Sequence, residues 1–183
     1  MKTALIVGCA DCLWDDVKTA HALGKYDATY CVKMAGIYWP HKFQTWVSLH
    51  PEWQAGYEGE RKERGYPDGY ETVGPLQGEV GMHAKHKVDR RVSYRFPGSN
   101  ASASSGIYAA KVAMEDGYGR IVLAGIPMQA EQNHFIRGKE WKQCDSFIVG
   151  LYAAIPFLDG KVKSVSGLTR ELLGAPTKEW ISE

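Results

Sequence analysis

Short apolar runs alternate along the chain with stretches of helical period. Residues 3–7 (Thr-Ala-Leu-Ile-Val) are β-branched and aliphatic and stop at Gly8, the pattern of a parallel strand buried on both faces. Over 11–23, Leu13, Val17 and Ala20 recur at helical spacing and Gly24 ends the run, which predicts a helix. Strands are predicted at 28–32 and 43–49, the second ending at His50-Pro51. The polar stretch 52–64 reads as a helix weakened by Gly56 and Gly59. A more apolar helix is predicted over 104–115, with Ile107, Ala110, Val112 and Met114 as packing positions. Asp116-Gly117-Tyr118-Gly119 then turns the chain into a strand at 120–124 that ends, like the first, in glycine. The segment 139–157 is predicted helical up to Pro156. A strand at 162–165, a short helix at 169–173 and a tail closing on Trp180 complete the chain.

This alternation predicts an α/β, Rossmann-like fold in one domain, a mostly parallel sheet with helices on both faces. Residues 65–100, with six Gly, three Pro and no clear period, read as an irregular insertion, and 129–141 as a polar lid. Ligands of such sheets sit outside the carboxyl ends of the strands. Four strand ends therefore outline the expected cleft: 8–11, 33–36, 50–51 and 125–128.

Composition narrows the function classes. Of 183 residues, 44% are hydrophobic and 23% charged, ordinary values for a globular protein. The net charge of +1 gives no bulk attraction to nucleic acid or to a membrane. No apolar run approaches the ~20 residues of a membrane span, and 4–7 is too short for a signal-peptide core. Four cysteines then read as free thiols in a cytoplasmic protein.

The sharpest local signal is the run from Gly98 to Tyr108, with four Ser and an Asn within seven residues, leading into the 104–115 helix. A helix start presents unpaired N–H groups and partial positive charge, and small residues let a ligand approach the backbone. Ser104, Ser105 and Gly106 are thus a candidate seat for a phosphate or carboxylate, against the plainer reading of a serine N-cap. Gly8, Cys9, Ala10 and Asp11 occupy the loop after the first strand, where a phosphate or ribose contact is expected. With a single Gly they match neither the dinucleotide nor the Walker pattern.

Other constellations have competing readings. Cys9 and Cys12 are spaced as a redox pair with a lowered thiol pKa, or are simply buried or loop cysteines; no second pair completes a zinc site. Asp11, Asp15 and Asp16 complement a helix dipole, or one of them orients a sugar hydroxyl. His50, made extended by Pro51, is a candidate base at a strand end. His134 and Arg137, with Gln132, Asn133, Lys139 and Trp141 nearby, place a base and a cation on the lid. The cluster His83, Lys85, His86, Lys87, Arg90, Arg91 and Arg95 is a solvated face or a phosphate-recognition patch.

Residues 104–110 (Ser-Ser-Gly-Ile-Tyr-Ala-Ala), then Ala113, Gly117-Tyr118 and 120–126 (Arg-Ile-Val-Leu-Ala-Gly-Ile), resemble a pattern of bacterial sialyltransferases of the Campylobacter type. The same pattern occurs in MptE-like proteins, which include pterin diphosphokinases and flagellin-modifying enzymes. The resemblance implies that Ser104, Ser105 and Gly106 contact a nucleotide, that Gly8 to Ala10 line its phosphates, and that His134 is the rough counterpart of a lid histidine that acts as base. The chain departs from that pattern with Cys9-Ala10-Asp11-Cys12 in place of Asn-Gly-Pro-Ser, Lys33-Met34 in place of Asn, and Pro127 in place of Asp. The opening Val7-Gly8 with Ala10 and Trp14-Asp15-Asp16, and Leu49-His50-Pro51, are also similar to uncharacterised phage and prophage proteins.

The expected function is a glycosyltransferase-like enzyme of phage or prophage type. Its substrate would be a small-molecule nucleotide-sugar, with a CMP-linked donor as the form the resemblance points to. His134 or His50 would be the base, with Arg137 or a cation of the 83–95 cluster offsetting leaving-group charge. No metal or resident cofactor is expected, and a homo-oligomer is compatible with the sequence. The alternatives are a non-catalytic nucleotide-binding or particle-interaction module in a host cytoplasm, and a magnesium-dependent diphosphotransferase.

Overall fold

The computed structural model describes residues 1–79, 86–99, 104–129, 133–136 and 144–183. Among these described residues seven strands form one sheet in the order β5-β4-β3-β2-β1-β6-β7. They are β1 (Thr3–Val7), β2 (Ala28–Val32), β3 (Thr45–Val47), β4 (Glu71–Gly74), β5 (Arg90–Arg91), β6 (Arg120–Ala124) and β7 (Val162–Ser164). Every pairing is parallel. The fold is α/β and Rossmann-like, as the alternation of elements predicts.

The strand residues explain why the sheet is covered twice. Ala4 and Ile6 of β1 face one core with Tyr30, Val47, Ile121 and Leu123. Leu5 and Val7 face the other with Cys31, Trp46, Val122 and Ala124. A strand buried on both sides needs helices on both sides. The first core is closed by α4 (Ser105–Glu115) and α5 (Cys144–Leu158), the second by α1 (Leu13–Leu23), α2 (Ala35–Tyr38), α3 (Gln54–Glu63) and α7 (Lys178–Ser182). The short α6 (Gly167–Leu173) adds Leu173 to the first core. Among the described residues no helix is long and apolar enough to cross a membrane.

Helix α4 is buried on nearly every side: Ile107, Tyr108, Ala109, Ala110, Val112 and Ala113 are wholly inaccessible. It lies between the sheet and α5, so its start is fixed by packing on two sides.

Four elements have no counterpart in the hydrophobic pattern: α2, β4, β5 and α7. β4 and β5 fall in the stretch read as irregular. β5 is two arginines, a polar pair that no apolar pattern marks, and it is joined to β4 by side-chain chemistry. Asp89 accepts from the Thr72 amide at 2.8 Å and the Thr72 hydroxyl at 2.7 Å, while Arg90 pairs with Glu71 and Asp116. α5 also runs past Pro156 to Leu158. The buried series Leu151, Ala154 and Leu158 holds the last turn against the one hydrogen bond that proline forfeits there.

Candidate functional site

The strand order reverses direction between β1 and β6, since the chain builds outward from β1 to β5 and then returns to the other side. A parallel sheet opens a crevice at such a point, beyond the carboxyl ends of the strands. A cleft of about 590 Å³ lies there, and Gly8, Cys9, Ala10, Gly125, Ile126 and Met128 line it from the ends of β1 and β6.

This part of the cleft is built by close backbone approach. The Gly8 amide donates to the Ala124 carbonyl at 2.8 Å, and the Ala10 amide to the Gly125 carbonyl at 3.0 Å. A Cβ on Gly8 would run into the Gly125 carbonyl oxygen and Ile126. Gly125 has φ +69°, and its amide donates to the buried Asp16 carboxylate at 2.8 Å. Asp16 also accepts from the Ser166 hydroxyl. It is therefore a clamp between α1, β6 and the segment after β7, and it does not line the cleft. Asp11 does not line the cleft; its amide is taken by the Asn133 carbonyl at 3.0 Å.

Ser104, Ser105 and Gly106 line the same cleft, so the helix start and the β1 loop meet as the sequence predicts. Both hydroxyls also have structural partners. Ser104 is the N-cap of α4, accepting from the Ile107 amide at 3.3 Å, and Ser105 accepts from the Leu49 amide at 3.4 Å. The capping reading thus holds for Ser104, and it does not displace the other, because an accepting hydroxyl keeps its own proton to donate. Residues 100–103 of the serine run lie outside the described residues.

His134 reaches the cleft through a strand-like contact. The segment 133–136 lies antiparallel to the β1 loop, with a bridge between Ala10 and His134 and a 3.0 Å bond from the Phe135 amide to the Cys9 carbonyl. Phe135 then packs edge-on against Tyr38 of α2. His134 Nδ1 accepts from the Ile136 amide at 3.0 Å, so the neutral ring carries its proton on Nε2. Arg137, Gln132, Lys139 and Trp141 lie outside the described residues.

His50 follows β3 and does not line the cleft. Its Nδ1 sits 2.9 Å from Glu52 Oε1, and its ring stacks on Trp53 at 4.9 Å. A carboxylate only accepts, so in the neutral ring Nδ1 carries the proton and Nε2 the lone pair. The two histidines differ in kind: His134 has the position in the cleft, and His50 has the tautomer of a base.

The opposite wall includes Lys33, from the strand end expected at 33–36, and three residues that sequence reasoning did not single out, Trp53, Tyr57 and Glu60. Lys33 directly follows β2 with φ +45°, and Met128 has φ +56°. Among the described residues these are the non-glycine residues with positive φ, and both line the cleft. Strain of this kind gathers at functional sites. Burial lowers the pKa of the Lys33 ammonium, with Cys9 and Glu52 acting in the opposite direction. Burial raises that of the Tyr57 hydroxyl, which stays a donor.

The 83–95 cluster contributes nothing to the cleft among its described members. Arg90 is held by Asp116 and Glu71, whose hydrogen bonds raise its pKa against the effect of burial, and Arg91 donates to the Pro75 and His86 carbonyls. His83 and Lys85 lie outside the described residues. The redox reading of Cys9 and Cys12 also loses support. Burial pushes the Cys12 thiol up to about 12, the opposite of activation, and Cys9 donates to the Val32 carbonyl at 3.2 Å. Among the described residues no group of three or more His, Cys, Asp or Glu side chains could hold a metal ion.

No family model and no curated protein matches the chain. Among solved structures it is similar to the sialyltransferase CST-II in complex with a trisaccharide acceptor and CMP, with TM-score 0.65 and 15% identity over 97% of this chain and 87% of that one. It is likewise similar to CstII from Campylobacter jejuni in complex with a substrate analogue, cytidine-5'-monophosphate, with TM-score 0.66 and 15% identity over 97% and 86%. At that identity the likeness is one of fold.

Proposed function

We propose that this chain is a nucleotide-sugar-dependent glycosyltransferase that uses a CMP-type donor. One observation carries the reading. Gly8–Ala10, Ser104–Gly106 and His134, three segments far apart in sequence, line one cleft at the reversal point of the sheet. The fold is shared with sialyltransferases solved with CMP. Function does not follow from fold alone, and the convergence of these segments is what favours it over a binding module.

The seat for the donor phosphate is the backbone of the β1 loop and the start of α4, with the Ser104 and Ser105 hydroxyls as further donors. In the transfer, an acceptor hydroxyl oxygen attacks the anomeric carbon. The bond from that carbon to the phosphate oxygen breaks, the nucleotide leaves with the electron pair, and the hydroxyl proton passes to a base. We assign the base to His134 because it lines the cleft. Taking the proton requires the 133–136 segment to release Nδ1 from the Ile136 amide. A second assignment rests on the His50–Glu52 pair, whose tautomer already suits a base and whose stacking partner Trp53 lines the cleft. Arg137 is the proposed lid cation, and the chemistry is drawn without a metal. Asp11 supports the β1 loop through its amide. The reading treats the chain as one nucleotide-binding unit; its phage or prophage type rests on the opening motif and Leu49-His50-Pro51.

Turnover of CMP-linked sugars with oligosaccharide acceptors tests this. His134→Ala should lower turnover by about 10²–10⁴-fold with nucleotide affinity nearly unchanged. Full turnover in that variant together with its loss in His50→Ala would transfer the base to His50. Ligand-induced thermal stabilisation without turnover on any donor would leave a binding module.

A further inference from the structure

Among the described lining residues of the cleft is a lysine, Lys33, that the transfer chemistry does not use. Lys33 stands at the carboxyl end of β2, beside the phosphate seat. Its backbone is pinned on three sides: its amide donates to the Val47 carbonyl at 3.1 Å, and its carbonyl accepts from Trp46 Nε1 at 2.6 Å and from the Gly36 amide at 3.2 Å. These bonds hold a β-carbon-bearing residue at φ +45°, where glycine would sit without strain.

The Lys33 side chain goes into the cleft. Lys33 Nζ lies 5.9 Å from the Trp53 ring centroid, a weak cation–π contact at a ring that is 50% exposed. Among the described residues no carboxylate forms an ion pair with it and no carbonyl accepts from it. A cation partly removed from water without an ion-pair partner is costly, and an anion arriving in the cleft would offset that cost.

We propose that Lys33 is the anion-recognising residue of the cleft and binds an oxyanion of the donor, on its phosphate or on the carboxylate of an acidic sugar. The proposal rests on the nucleotide-sugar reading for the identity of the ligand and on Lys33 itself for the charge. It makes Lys33 a specificity residue, since a donor without an oxyanion at that place leaves the ammonium unpaired in the bound state.

Calorimetric titration of wild type, Lys33→Met and Lys33→Gly with cytidine, CMP, CMP-N-acetylneuraminic acid and inorganic pyrophosphate tests it. A charge-assisted contact of this kind is worth about 10- to 100-fold in affinity. If the oxyanion is the phosphate, both variants lose that factor for CMP and pyrophosphate, while cytidine binds as before. If it is the sugar carboxylate, CMP binds equally to all three proteins and the loss appears with CMP-N-acetylneuraminic acid alone. Lys33→Gly should also raise the melting temperature of the unliganded protein, because it relieves the φ strain; that separates lost recognition from lost folding. Equal affinities for all four ligands in all three proteins would overturn the proposal and leave the nucleotide reading standing. Pyrophosphate binding that depends on Lys33, with no affinity for any nucleotide, would keep the proposal and remove the reading. Failure of wild type to bind any of the four would remove both.

Discussion

Two groups of residues line the cleft, and they are built on different principles. Gly8, Cys9, Ala10, Ser104, Ser105 and Gly106 are small and offer mainly backbone, held by β1, β6 and a largely buried α4. Lys33, Trp53, Tyr57 and Glu60 are large, offer side chains, and come from the end of β2, the turn before α3, and α3 itself. A backbone seat cannot be retuned without moving the sheet, which suits a group common to many ligands, such as a phosphate. A side-chain wall changes residue by residue, which suits selectivity.

The side-chain wall has its own support, and removing that support should have the largest effect. Arg61 of α3 is fully buried and donates to the carbonyls of Gly36, Trp39, His41 and Pro67, with its guanidinium 4.7 Å from the Phe43 ring. It ties α3 to α2 and to the chain that follows each. Arg61→Ala leaves those carbonyls without their donor and opens a cavity. We expect a loss on the order of 3–5 kcal/mol in urea unfolding. A loss below 1 kcal/mol would mean that α2 and α3 hold together without it.

The backbone seat is tested next by Gly8→Ala. A single methyl there meets the Gly125 carbonyl and Ile126, and overpacking of this kind costs about 1–3 kcal/mol. Nucleotide affinity should fall with it, because the β1 loop must shift. Undiminished binding in a destabilised protein would move the phosphate away from this loop.

The backbone seat was legible in the sequence, and the side-chain wall was not, for a physical reason. Glycine after a buried strand and serine at a helix start are local signals, fixed by the conformation of the residues that carry them. Lys33 was visible as part of a strand end, but nothing local says that its φ is positive or that its amine enters a cleft; both follow from Val47, Trp46 and Gly36 closing on its backbone. Trp53, Tyr57 and Glu60 lie on a polar helix and its lead-in turn, where aromatic and acidic residues read as surface. β5 was hidden because its pairing rests on Asp89, Glu71 and Asp116 rather than on apolar residues. The basic cluster misled in the opposite sense: Arg90 looked available in sequence and is engaged by two carboxylates in space.

Smaller effects refine the contrast. Ser104→Ala removes the cap of α4 and should cost about 1 kcal/mol. A further drop in CMP affinity would show that its hydroxyl also serves the ligand. Cys12, with its thiol pushed up to about 12, should resist iodoacetamide at pH 8 in the folded protein and react once unfolded. Rapid labelling of native Cys12, read by peptide mass spectrometry, would contradict a partly buried thiol that stays protonated.

The most direct measurement is an amide chemical-shift titration of the isotope-labelled wild-type protein with CMP. Saturable shifts should concentrate at the amides of 8–10 and 104–107, on both sides of the β1–β6 reversal. Shifts centred instead on the arginines of β5, or none at saturating CMP, would contradict the claim that this cleft is a nucleotide site.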